Sequence, residues 1–351
     1  MPRLRRVDCS APGITRRKQG RGFVYLDGET GERIIDPEVL VRIKELAVPP
    51  AWSQVWICPH PMGHIQATGI DAAGRKQYIY HQRWREREDQ KKFDHMLDFA
   101  RALPKMRWTW NQHLALDGLP REKVMACAAR LLDLGFFRIG TEGYAEQNQS
   151  YGLATILKTH ATLADGIITF DYTAKSGKRR IQKIVDEPVY EIVGELKRRR
   201  SGGPELLAFK QRGKWADVKS QDINEYLKSL TGETFTAKDF RTWNATVLAA
   251  MSLVPFVDAR SKTGRDRAIS QAVKDVARYL GNTPAVCRAS YIDPRVFDRF
   301  RSGWTIWPAL EGLAGEGDLS MGDLETQHVI EEAVLDLIED RRQSDALEKT
   351  A

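Results

Sequence analysis

Tyr291 lies between a short apolar turn, Ala285-Val286, and the chain-breaking pair Asp293-Pro294, with Arg288 and Arg295 close in sequence. A phenol left to itself ionises only near a pH of about 10, so a tyrosine that acts as a nucleophile needs a positive field. The same field would attract a phosphate. Taken alone, the stretch is better accounted for by a half-buried tyrosine with a hydrogen-bonded hydroxyl. Three further basic groups stand at positions that a fold could use. Arg138 follows the apolar pair Phe136-Phe137 at a bend, Lys175 sits in the turn Thr173-Ala174-Lys175-Ser176-Gly177-Lys178, and Arg241 falls in the opening turns of a helix. Their spacing does not show that they meet.

The elements that must position these groups follow from the pattern. Gly281-Asn282-Thr283-Pro284 signals a turn in which Thr283 caps a helix and Pro284 takes its first position. Thr236-Ala237-Lys238-Asp239 is a capping box that starts the helix of Arg241. The spacing predicts a helix over 121–134 stopped by Gly135, with Val124, Cys127, Ala128 and Leu131 inward. It predicts another helix near 152–160, and then a meander of strands at 167–172, 179–185 and 206–211. A helix beginning at Asp186 ends in Lys197-Arg198-Arg199-Arg200, which reads as a solvated cap suited to the helix dipole. An amphipathic helix over 325–347 closes the chain.

Before about residue 84 the pattern is of short extended runs and turns. Phe23-Val24-Tyr25-Leu26 meets Asp27-Gly28, a hairpin signal. Asp36-Pro37 starts a short helix, and Val55-Trp56-Ile57 and 64–69 read as strands. A basic turn, Gly74-Arg75-Lys76, leads into Gln77-Tyr78-Ile79-Tyr80, whose alternation puts Tyr78 and Tyr80 on one face. Basic turns interleaved with aromatics suit a nucleic-acid groove, although an ordinary small sheet shows much the same. Residues 1–21 carry seven Lys or Arg against the single acid Asp8 and read as a flexible basic arm. The expected organisation is that arm, a β-sheet domain over 22–90, and a mainly helical domain over 91–351. The charged run 85–92 is read as a hinge between the two domains.

The 351 residues carry a net charge of +7, which fits a polyanion partner. No apolar run approaches the roughly 20 residues of a membrane span, and no apolar secretory segment follows Arg3, Arg5 and Arg6. The four cysteines are scattered without a CxxC pair. Cys58, His60 and His64 lack a second ligand pair, so their proximity is read as coincidence. No GxxxxGK[ST] phosphate loop and no carboxylate cluster at metal-binding spacing is present.

Several of these motifs together resemble the type IB DNA topoisomerases, in particular the compact bacterial members similar to the poxvirus enzyme. They are Arg138-Ile139-Gly140, Phe170-Asp171-Tyr172-x-x-Lys175, Lys238-Asp239-Phe240-Arg241-Thr242-Trp243 and the Gly281–Tyr291 segment. Pro49-Pro50-Ala51-Trp52 and Gly74-Arg75-Lys76-Gln77-Tyr78-x-Tyr80 extend the likeness to the β-sheet part, so that it covers about residues 22–300. The resemblance implies an α+β, two-lobed DNA clamp, with a small antiparallel sheet domain and a larger helical catalytic domain holding a three-stranded sheet. It also implies a monomer on double-stranded DNA in the cytoplasm and nucleoid, with no cofactor, nucleotide or essential metal.

On that resemblance Tyr291 is the nucleophile of a transient 3′-phosphotyrosyl link. Arg138 and Arg241 stabilise the phosphorane, Lys175 is the general acid, and Lys238 is a secondary phosphate contact. Arg75, Lys76, Gln77, Tyr78 and Tyr80 would touch DNA. Much of the wider family has a histidine nine residues before the tyrosine, where this chain has Asn282, as in the bacterial branch. Asn282 is therefore expected only to donate a hydrogen bond to a non-bridging oxygen. Ser176 replaces an aspartate that follows the lysine in the poxvirus enzyme. Two other readings use the same residues: a tyrosine recombinase, and a DNA-binding protein without catalysis. Recombinases usually carry a histidine where this chain has Lys238, and they lack the Pro-Pro-Ala-Trp sheet domain.

Overall fold

The computed structural model describes residues 3–232, 234–315 and 324–349. The chain forms two compact units, Met1–Asp94 and His95–Ala351.

The first unit is a five-stranded antiparallel sheet in the order β2-β1-β3-β4-β5. Its strands are β1 (Ile14–Gln19), β2 (Gly22–Asp27), β3 (Ser53–Ile57), β4 (Ile65–Ile70) and β5 (Lys76–Tyr80), and α1 (Pro37–Glu45) lies between β2 and β3 in sequence. Ile43 of α1 packs with Ile14, Val55, Ile57 and Ala67 as the core, and Ile79 adds to it from β5. Alternation along β5 therefore turns Tyr78 and Tyr80 outward, where both are exposed.

Residues 14–19 are not part of an arm. β1 pairs with both β2 and β3. Arg16 is held by the carbonyls of Val48, Pro49 and Trp52, so a run that reads as basic and solvated is built into the sheet. The hairpin falls at Gly20-Arg21 between β1 and β2, while Asp27-Gly28 makes a second turn in which Leu26 bridges Arg33.

The charged run 85–92, read as a hinge, is helical. It lies within one continuous helix, α2 (Gln82–Leu114). Side chains three and four residues apart pair along it, with Lys91 on Glu88, Lys92 on Asp89 and Gln82 on Glu86, so the charges support the helix.

The second unit contains α3 (Arg121–Gly135), α4 (Glu142–Asn148), β6 (Ala161–Ala164), β7 (Ile167–Ala174), β8 (Lys178–Val185) and α5 (Glu187–Arg198). A two-stranded ribbon follows, β9 (Ala208–Gln211) and β10 (Lys214–Asp217). Then come α6 (Ser220–Thr231), α7 (Ala237–Leu253), α8 (Lys262–Leu280), α9 (Pro284–Ser290) and α10 (Pro294–Arg301). The chain ends in β11 (Trp304–Thr305), α11 (Trp307–Gly315), α12 (Leu324–Ile338) and β12 (Glu348–Lys349).

The three-stranded sheet is β6-β7-β8. Its first two strands are joined through Asp165-Gly166, both at positive φ, which is a hairpin turn signature. The run at 206–211 was expected in this sheet, but it pairs with β10 instead. Nor is there a helix over 152–160. The N–H groups of Tyr151, Leu153 and Ala154 are spent on the carbonyls of Thr173, Arg138 and Ile139, leaving two short 3-10 turns. The basic end of α5 is not a solvated cap at Arg199, whose guanidinium is buried on the carbonyls of Leu196, Glu205 and Leu206. The last helix stops at Ile338, and the chain then turns through Asp340 at positive φ to pair β12 with β11.

Among the described residues no helix is long and apolar enough to cross a membrane, and no cluster of His, Cys, Asp and Glu could hold a metal ion.

Candidate active site

Tyr291 caps the C-terminus of α9, its N–H bonded to the Cys287 carbonyl at 3.0 Å. Thr283 and Pro284 start this short helix as expected, and Asp293 caps α10 immediately after it. Ile292 and Asp293 are fully buried. The Asp293 N–H donates to the Thr246 hydroxyl on α7 at 3.1 Å, so the backbone beside Tyr291 is anchored while its ring stays half-buried.

Arg241 lies on the same helix as Thr246. The capping box of Thr236 and Asp239 forms as expected. It places Arg241 with its guanidinium carbon 5.3 Å from the centre of the Tyr291 ring. Arg241 is 4% exposed. It donates to the Phe136 carbonyl and, at 3.1 Å, to the Leu280 carbonyl, while its Nε has no partner among the described residues. Burial and the nearby charge of Arg138 push its pKa down to about 10; Tyr291 acts in the opposite direction.

Arg138 follows Phe137, which is buried edge-on against Phe170 and stacked with Tyr172. Close backbone packing shapes its turn. Gly140 has φ +76, and a β-carbon there would come within 2.7 Å of the Gly152 Cα. Arg138 donates to Oδ1 of Asn282. That bond fixes the amide orientation and leaves Nδ2, a buried donor, without a partner among the described residues.

The structure thus brings Arg138, Arg241, Asn282 and Tyr291 together. The two arginines expected to supply the field around Tyr291 do not do so. Arg295 is locked onto the Asp293 carboxylate, and Arg288 lies over the Phe297 ring. The cation at the phenol is Arg241, fifty residues earlier.

Lys175 is exposed at the tip between β7 and β8. Ser176 beside it has φ +66 and Gly177 φ +70, so the tip is a tight left-handed turn. Lys238 is exposed in the first turn of α7. Neither ammonium has a partner among the described residues.

Two residues of this region were not singled out as site residues in the sequence, although one stands within the Phe170–Lys175 motif. Tyr172 and Arg180 face each other across β7 and β8. Burial raises the Tyr172 pKa against the opposing charges of Arg180, Arg241 and Arg138. The only sequence signal was their alternation with the buried Phe170 and Gln182 on the paired strands.

The other candidate DNA contacts lie in the first unit. Tyr78 and Tyr80 are stacked at 5.9 Å, and the Lys76 ammonium is 5.7 Å from the Tyr78 ring. Arg75 and Gln77 are both held by Asp71, Gln77 at 2.9 Å. The bonds of Asp71 to backbone and side-chain N–H groups, that of Arg75 foremost, bring its pKa down to about 2.

Comparison with known proteins places both units. Residues 81–301 match the family described as eukaryotic DNA topoisomerase I, catalytic core. Residues 22–71 match the bacterial DNA topoisomerase IB N-terminal domain. The DNA topoisomerase 1B of Acanthamoeba polyphaga mimivirus is 31% identical over 290 residues, covering 80% of this chain and 85% of the viral one. The DNA topoisomerase 1B of vaccinia virus (strain Copenhagen) is 19% identical over 292 residues, with 79% and 89% covered. With most of both units accounted for, this chain belongs to the type IB DNA topoisomerases, as a bacterial-type enzyme related to those of mimivirus and the poxviruses.

Proposed function

We propose that the chain relaxes supercoiled duplex DNA by cutting one strand with Tyr291, letting the cut strand rotate about its partner, and resealing it. The observation that carries this reading is the Arg241 guanidinium against the Tyr291 ring, with the Arg138–Asn282 pair joined to it. Neither guanidinium has a carboxylate partner among the described residues. Buried positive charge without a counter-ion is costly to hold unless an anion arrives, and a phosphodiester is that anion.

The Tyr291 oxygen attacks phosphorus, its proton passing to solvent. The bond from phosphorus to the 5′-oxygen breaks, and that oxygen takes a proton from the Lys175 ammonium, because an alkoxide leaves poorly. Negative charge grows on the non-bridging oxygens, where the planar donor forks of Arg138 and Arg241 and the amide of Asn282 act. The 3′-phosphotyrosine retains the energy of the broken bond. Resealing is the reverse attack by the 5′-hydroxyl, with Lys175 taking the proton back, and it needs no nucleotide. The guanidiniums do the charge work of a divalent ion, so no metal is needed. One chain supplies every group named, and a monomer suffices. Lys76, Tyr78 and Tyr80 form a cation–aromatic surface suited to DNA, and Lys238 a further phosphate contact. Gln77 and Arg75 join that surface when Asp71 releases them.

Plasmid relaxation in EDTA without ATP tests the reading. The wild type should relax a plasmid lacking any chosen site, and Tyr291→Phe should bind DNA without relaxing it or forming a covalent adduct. An adduct through another residue or to a 5′ end, or binding without relaxation by the wild type, would refute it.

A further inference from the structure

An α-helix ends with carbonyls that no N–H of its own can reach. At the end of α8 Gly281, with φ +65, turns the chain back so that its N–H bonds to the Ala277 and Arg278 carbonyls and that of Asn282 to the Ala277 carbonyl. Two guanidiniums from other elements bond to the last three carbonyls of the helix, sharing that of Arg278 with the Gly281 N–H. Arg241 on α7 reaches Leu280. Arg180 on β8 reaches Arg278 at 3.2 Å and Tyr279 at 2.5 Å.

Arg180 is half-buried and has no carboxylate partner among the described residues. Burial lowers its pKa, with Tyr172 opposing and Arg138 adding to the effect. The negative end of the α8 dipole is the counter-field that holds it. The fit is close: a β-carbon at Gly281 would lie 3.2 Å from Cδ and Nη1 of Arg180. Three residues past Tyr279 stands Asn282, with Oδ1 on Arg138 and an unpaired Nδ2 donor. The carbonyls that Arg180 grips therefore set where the Asn282 backbone leaves the helix.

We propose that Arg180 is a positioning residue of the cleavage reaction. It ties β8 to the last turn of α8 and so places the Asn282 amide on the phosphate that Tyr291 attacks. This inference rests on the function proposed above. Each end nitrogen of Arg180 has one N–H on a helix carbonyl, which suits a strut; duplex affinity decides whether it also contacts phosphate directly.

A double-mutant cycle tests it, read by single-turnover cleavage of a duplex and by duplex affinity. Arg180→Met keeps the stem and removes the donors. On the wild-type background it should slow cleavage about 30-fold, the scale of losing hydrogen bonds from a charged donor. On an Asn282→Ala background it should cost less than about threefold, because the group it positions is gone. Duplex affinity should stay within about twofold of wild type in this cycle if Arg180 touches no phosphate. Arg180→Gln, which keeps one donor for a carbonyl, should recover part of the rate, and it replaces Arg180→Met in the cycle if that variant does not fold.

Penalties that multiply across the two backgrounds overturn the proposal, and so does an affinity loss that matches the rate loss. Wild-type cleavage by Asn282→Ala overturns it as well, since there would be nothing to position. Failure of the wild type to form the Tyr291 adduct would instead refute the function on which the inference rests.

Discussion

Arg241 is a buried cation whose neighbours include two more guanidiniums, Arg138 and Arg180, and a phenol. Such a cluster is destabilising until an oxyanion enters it. Inorganic sulfate should therefore raise the melting temperature of the wild type more than that of Arg241→Met, measured by calorimetry at equal ionic strength; equal shifts would deny an anion site. Lys175 makes a different claim, because its work is to hand over a proton. Lys175→Ala should lower cleavage by about 10²–10⁴-fold with an ordinary substrate. A substrate carrying sulfur in place of the 5′ bridging oxygen should recover most of that loss, since a thiol ionises near a pH of about 8.5 and leaves without help. An undiminished defect with sulfur would mean that Lys175 acts on something other than the leaving group.

At the scale of elements, α7 does two jobs five residues apart: Arg241 faces the phenol, and Thr246 holds the chain that follows it. Thr246→Val should leave the buried Asp293 N–H unpaired and cost about 1–3 kcal/mol in urea unfolding, with a slower cleavage step. Full stability in the variant would show that the hydroxyl is not the anchor. The β4–β5 turn is organised by Asp71 in the same way, through bonds to Ala73, Arg75 and Gln77. Because its pKa in the folded state lies below the ordinary carboxylate value, its contribution is complete above that value. It is lost as pH falls toward about 2. Amide exchange in residues 71–77 should accordingly rise in Asp71→Asn at neutral pH. Unchanged protection would show that the carboxylate charge does not hold the turn.

At the scale of the whole molecule, the second unit is held together by a buried ionic network. Arg107 of α2 bonds both Asp133 of α3 and Glu331 of α12, and Arg130 bridges Asp133 to Asp186. Removing Arg107 leaves the buried Glu331 without its cation and Asp133 with Arg130 alone. Arg107→Met should cost about 3–5 kcal/mol, seen as a lower denaturation midpoint; a neutral outcome would show that the network relaxes or takes up water. The net charge of +7 belongs to this scale too. Relaxation should slow steadily as salt rises, because phosphate contacts release counter-ions, and a salt-independent rate would count against tracking along DNA.

The sequence alone determined what local rules govern. The Thr283-Pro284 and Thr236–Asp239 caps, the Asp293-Pro294 break and the alternation of Tyr78 and Tyr80 follow from backbone chemistry within a few residues, and the structure has them all. It also carried a family likeness, through motifs whose order survives even though the residues between them vary. It misread β1 and Arg199 because a basic residue looks the same in water as on three buried carbonyls. It misplaced the third strand because an apolar run does not name its partner. Tertiary structure alone decided which cation meets the phenol. Arg288 and Arg295 are near Tyr291 along the chain but are engaged elsewhere, while Arg241 and Arg138 arrive from distant elements. Electrostatic fields depend on distance through space, and only packing converts one kind of distance into the other.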